Sequence, residues 1–156
     1  MPVIRGLLPL AVFLAVMLSG PGGSAGPLGI FQWEKRVLLV FAPKFDDGRY
    51  RGQVALIERN RDGILDRDMQ VLEIIGTENV MGFPTPAAKV DARALRKQYD
   101  IGRDEFAALL IGKDGGVKSR TAAPADMCDL FDLIDGMAMR RDEMKERGKS
   151  IACIGH

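Results

Sequence analysis

The sequence predicts an α/β fold, a central mixed sheet with helices on both faces, and three observations carry that prediction. The first is Arg36-Val37-Leu38-Leu39-Val40-Phe41-Ala42, an apolar run without alternation that is closed by Pro43. Such a strand must be covered on both faces, as in the centre of a helix-covered sheet. The second is Met69-Gln70-Val71-Leu72-Glu73-Ile74-Ile75, rich in branched residues and reached after a helical repeat, the spacing a parallel crossover needs. The third is Phe106 to Ile111 followed by Gly112-Lys113-Asp114-Gly115-Gly116, where Asp-Gly and Gly-Gly supply the positive φ values of a tight hairpin.

The 156 residues suit one domain behind a leader, and 22 Lys and Arg nearly cancel 21 Asp and Glu. No block of like charge is long enough to form an arm for nucleic acid. Arg5, the apolar run Leu7 to Leu18 and the small residues Gly23-Ser24-Ala25 have the layout of a cleaved secretory leader; a spanning helix wants about 20 apolar residues. The expected organisation is a signal peptide over 1–25, one domain over 26–141 and a charged, flexible tail over 142–156. No membrane span is expected after leader cleavage, and the expected location is periplasmic or secreted. Export makes Cys128 and Cys153, the chain's two cysteines, eligible for a disulfide.

Taken in order, Gly29 to Lys35 leads into the first strand, with Phe31 and Trp33 expected to pack over one end of the sheet. Asp46 or Asp47 can cap a helix in which Tyr50, Val54 and Ile57 recur at i, i+4 and i+7, with Gly63 as its stop. Asp66-Arg67-Asp68 reads as a locally neutralised turn before the second strand. Residues 76–90 hold Gly82, Pro84 and Pro86 with little periodicity, and a loop of this length suits a lid or contact loop. Asp91 starts a short helix through Ala94, Leu95 and Tyr99 that stops near Gly102. Val117 to Thr121 returns antiparallel to the run ending at Ile111. Met127, Leu130, Phe131 and Ile134 give the last helix an apolar face, and the charged stretch after Gly136 is expected to fray.

A parallel portion followed by a Gly-turned hairpin and a closing helix is the thioredoxin-like layout. Trp33 through Pro43, Leu65-Asp66-Arg67-Asp68, Phe106 through Lys118 and Ile134 through Arg140 together resemble a family: a bacterial exported domain of unknown function with a peroxiredoxin-like fold. It is similar to the domain in vertebrate extracellular-matrix proteins of the sushi-repeat and coiled-coil-domain groups. The resemblance covers most of the chain beyond the leader and implies a thioredoxin-like fold, but it carries no activity to transfer. Ala138 departs from it, since a Pro is expected between Met137 and Met139.

Thiol redox chemistry needs a thiolate stabilised at a helix N-terminus after the central strand. Lys44-Phe45-Asp46-Asp47 stands there instead, so neither a peroxidatic Cys nor a Cys-x-x-Cys is present. Cys128 is read one turn into the last helix, among Asp126, Asp129 and Asp132, which would raise its pKa. A buried thiol, a disulfide to Cys153 and a catalytic role all stay open for it. Met137, Met139, Met144, Cys153 and His156 form a soft set that copper(I) favours in principle, but methionines at a helix end are ordinarily packing, so neither metal nor cofactor is expected. Asp46 and Asp47 are better read as a helix cap and its neighbour than as an acid and base pair. In open α/β sheets ligands gather beyond the carboxyl ends of the strands, which singles out Lys44, Phe45, Asp46, Asp47 and Arg49 as a ligand or partner loop. The expectation is an exported, non-catalytic binding or adaptor module for an unknown protein or small ligand in the cell envelope. The alternative is an atypical thiol oxidoreductase or peroxidase using Cys128 and/or Cys153.

Overall fold

A computed structural model describes residues 26–87, 89–148 and 150–155; the leader expected over 1–25 and His156 lie outside them. Strand β1 (Arg36–Ala42) is buried along its whole length and lies mid-sheet. It pairs parallel with β2 (Met69–Ile75), Leu39 opposite Leu72, and antiparallel with β4 (Ala107–Ile111), Leu39 opposite Leu109. Strand β3 (Asn79–Phe83) adds antiparallel to β2 and β5 (Val117–Thr121) antiparallel to β4, giving the order β3-β2-β1-β4-β5.

Side chains alternate across a strand, so β1 feeds two cores. Leu38, Val40 and Ala42 pack with Tyr50 and Ile57 of α1 (Gly48–Arg59), Ile64 of α2 (Arg61–Asp66) and Leu130, Phe131 and Ile134 of α4 (Met127–Asp135). Val37, Leu39 and Phe41 pack on the other face with Leu95 and Tyr99 of α3 (Ala92–Tyr99) and with Leu28 and Phe31. Helices thus cover both faces, as an unalternating strand demands.

Several local expectations are corrected. Gly63 does not stop α1: the helix breaks at Asn60, and Gly63 lies buried within α2, where a Cβ would collide with the Phe131 ring. Residues 76–90 are not a single loop, because Asn79–Phe83 forms edge strand β3. An edge strand that is half exposed needs no apolar pattern, since its backbone pairing to β2 supplies the order. Gln70 Nε2 donates to the Thr85 carbonyl at 2.7 Å, which fastens this segment rather than freeing it as a lid. Trp33 is 61% exposed, not core rim. It adopts φ 68° and donates its backbone N–H to the Lys113 carbonyl, leaving Phe31 alone to fill the core. The stretch expected to fray is helical, α5 (Ala138–Arg147), so the boundary drawn at 141 falls inside a helix.

Candidate functional site

Beyond the carboxyl end of β1, Asp47 takes the N-cap of α1. Its carboxylate accepts from the backbone N–H groups of Arg49 and Tyr50, satisfying donors that a helix start leaves open. The Arg49 guanidinium bonds the same carboxylate at 2.8 Å, and this contact with the capping bonds holds the Asp47 carboxyl down at about 2. Asp46 pairs with Lys44 at 3.3 Å in full solvent. The two carboxylates therefore have separate cations and separate tasks, and no shared proton or cation site follows. Phe45 is 51% exposed and meets the Tyr50 ring edge-on, centroids 6.2 Å apart. Arg49 lies over the Phe106 ring at 5.3 Å.

Arg96 of α3 fixes this end of the sheet from the opposite face. It donates to the carbonyls of Ala42, Gly76 and Gly102 at 2.9, 2.6 and 2.5 Å, which ties β1 and β2 together where the loop begins. Burial lowers the Arg96 pKa. The loop is thus a fixed aromatic side chain between a cation and an anion, without a nucleophile.

Cys128 and Cys153 are joined by a disulfide, Sγ to Sγ 2.02 Å. Cys128 is the second residue of α4, not one turn in, and its backbone N–H donates to the N-cap Asp126. Cys153, already bonded, offers no thiolate to a metal. Met137 packs against the core and Met139 is exposed, and His156 lies outside the described residues. Among the described residues no group of three or more His, Cys, Asp or Glu is placed to hold a metal ion.

At the amino end of β1 the structure builds a constellation that sequence reasoning missed. Arg67 meets its chain neighbour Asp66 at 3.8 Å, but its closer carboxylate comes from far along the chain. It is 2% exposed, grips Asp135 in a fork at 2.7 and 3.0 Å and stacks on Phe131 at 4.0 Å. Arg140 binds both Asp66 and Asp135, and Arg36 binds Glu143 through two nitrogens at 3.1 Å. Lys113 bridges Asp68 and Glu143 at 2.9 and 2.7 Å, and Arg147 closes on Asp68 at 2.9 Å. Burial opposes the charged forms of Asp135 and Glu143, yet hydrogen bonds from Arg67 and Arg140 to the first, and from Arg36 and Lys113 to the second, hold both carboxyls below their ordinary values. Burial also works against Asp68, but Arg147 and Lys113 outweigh it and leave its carboxyl at about 2. The signal in the sequence was the triplet Asp66-Arg67-Asp68. Arg67 finds Asp135 68 residues away, and Asp66 finds Arg140 74 residues away, beyond any local pattern.

Compared with known proteins, residues 27–143 match a family described as Domain of unknown function (DUF4174). The chain is 32% identical over 133 residues to Coiled-coil domain-containing protein 80 of Danio rerio, covering 75% of this chain and 15% of that protein. It is 28% identical over 129 residues to Sushi repeat-containing protein SRPX of Homo sapiens, covering 78% of this chain and 27% of that one. The chain therefore spans only a minor part of these relatives. Among solved structures, the reduced 2-Cys peroxiredoxin of Plasmodium vivax superimposes with TM-score 0.50 at 19% identity, over 74% of this chain and 83% of that one. The Plasmodium yoelii peroxiredoxin Prx1a does so with TM-score 0.51 at 18% identity, over 83% and 86%. At these identities the likeness establishes a thioredoxin and peroxiredoxin-like fold.

Proposed function

Because the chain belongs to the DUF4174 domain family, whose description names no activity, we propose that it is an exported, non-catalytic thioredoxin-like module that binds a protein or small ligand in the cell envelope through Lys44, Phe45, Asp46 and Arg49. The observation that carries this reading is the N-terminus of α1. A thiol chemistry on this fold wants a thiolate there, where N–H groups and the helix dipole stabilise negative charge. Asp47 already occupies those donors, and both cysteines of the chain are spent on each other. What remains at the site is the exposed Phe45 ring between Lys44 and Asp46, a contact surface on a rigid base. Export is supported by the leader pattern before residue 26 and by the disulfide, which persists in oxidising compartments.

A second reading rests on Cys128, whose place in the first turn of α4 is where a helix favours a thiolate. Asp126 and Asp129 beside it oppose that charge. One experiment separates the two. Hydrogen peroxide and disulfide turnover, with a dithiol supplying electrons, should equal that of a Cys128→Ser, Cys153→Ser control, while Lys44→Glu and Arg49→Glu should lose a partner captured from the cell envelope. Turnover that vanishes in the serine variants would transfer the function to the cysteines.

A further inference from the structure

A groove of 380 Å³ lies at the amino end of β1, between α4, α5 and the turn joining β4 to β5. Its volume falls in the range of small-molecule sites. Leu133, Met137 and Met139 form an apolar wall; Arg36, Lys113 and Lys118 line the rest. Leu133 and Met139 leave 42% and 44% of their surface exposed, an apolar strip beside the most heavily charged part of the molecule.

Two observations say what would fill it. Arg36 is 1% exposed, yet its Nε is buried without a hydrogen-bond partner among the described residues. A buried donor so placed has lost its water and gained nothing in return. Among the described residues the surrounding network is also unbalanced: Arg36, Arg67, Lys113, Arg140 and Arg147 pair with Asp66, Asp68, Asp135 and Glu143, five cations against four carboxylates. Lys118 does not alter the count, because it is matched by Asp114, which also lines the groove, at 2.6 Å.

We propose that this groove binds a small amphipathic monocarboxylate of the fatty-acid type. Its carboxylate supplies the missing negative charge and an acceptor for Arg36 Nε, and its chain covers Leu133, Met137 and Met139. A neutral alkyl alcohol leaves the charge unbalanced, a short anion leaves the apolar wall bare, and a dianion overshoots the single excess charge. The site is at the opposite end of β1 from Lys44 and is independent of the partner loop.

Decanoate, decanol and acetate, titrated into disulfide-intact protein and followed by amide and arginine side-chain NMR, test it. Decanoate should move the Arg36 Nε–H signal and the amides of Gly112, Lys113 and Ala138. Decanol and acetate should each bind at least tenfold more weakly. Met139→Asp and Leu133→Asp, both at exposed positions, should keep the unfolding midpoint and weaken decanoate at least tenfold, while Lys44→Glu should leave it unchanged. Binding by decanol as tight as by decanoate, equal binding by acetate, decanoate shifts confined to other surfaces, or no response of Arg36 Nε–H would each overturn the proposal.

Discussion

The two ends of β1 use charge in opposite ways. At the carboxyl end, Lys44 and Asp46 are neighbours in sequence and 68% and 70% exposed. At the amino end, Arg36 and Glu143 are 107 residues apart and 1% and 12% exposed. Water screens the first pair, which contributes little to stability. The second has surrendered its hydration, so each member depends on the other. The amino end therefore holds the fold together, and the exposed charges of the carboxyl end add little to it.

The sharpest way to break this contrast is Arg140→Ala. Asp66 and Asp135 would keep Arg67 but lose the second cation that bridges them, and breaking one side of a buried pair costs about 3–5 kcal/mol. The denaturant midpoint should fall accordingly with an unchanged slope. A loss below about 1 kcal/mol would mean that the network is ornamental.

Next comes the covalent tie between α4 and the C-terminal segment. The disulfide spans a sequence separation of 25, and chain entropy assigns such a loop about 3 kcal/mol. It secures a segment that also hydrogen-bonds Asn60 through the Ile154 N–H and carbonyl. Cys128→Ser with Cys153→Ser should lower stability by roughly that amount, and the oxidised wild type should match the variant once reduced. Equal midpoints for the wild type and the double variant under oxidising conditions would show that the tail holds without its bond.

What the sequence made legible follows the same division. The unalternating run of β1, the cap at Asp47, the Gly-turned β4–β5 hairpin and the apolar face of α4 each have their cause within a few residues. The candidate loop was legible for that reason too, because Lys44, Asp46, Asp47 and Arg49 find their partners among themselves. Strand β3 was not, since its order comes from pairing with β2, and neither was Trp33, turned outward by a φ of 68°. Helix α5 looked too polar to hold, with Arg140 its buried residue. Its binding energy comes from Asp66, Asp135, Arg36 and Lys113, which only the folded sheet brings to Arg140 and Glu143.

Acid offers a graded test of the same end. The Asp68 carboxyl is lowered from 3.8 to about 2, and Asp135 and Glu143 are lowered as well. A carboxylate depressed in the folded state adds stability that is fully present above its unfolded value and is lost as pH falls through its folded value. Stability should therefore be flat above about pH 5 and decline between about pH 4 and 2. Asp68→Asn should remove about 1–2 kcal/mol at neutral pH after allowance for its partial exposure, and should shallow the acid limb. Unfolding midpoints at pH 6, 4 and 2.5 read both effects, and an acid limb identical to wild type would remove Asp68 from the network.

The smallest expected effect is at the other end, and its smallness is the point. The Lys44 side chain pairs with Asp46, at 3.3 Å between side chains that are both mostly in water, and the cap on α1 is made by Asp47 rather than by either of them. Reversing the charge with Lys44→Glu sets it against Asp46, yet both groups can turn into solvent, so the shift should stay under about 0.5 kcal/mol. The backbone beneath is fixed from the far face by Arg96 on the carbonyls of Ala42 and Gly76, which this substitution does not touch. Circular dichroism and the denaturant midpoint should thus be indistinguishable from wild type in the same variant that is proposed to lose partner capture. A loss of several kcal/mol from Lys44→Glu would mean that the carboxyl end is structural as well, and the contrast between the two ends of β1 would collapse.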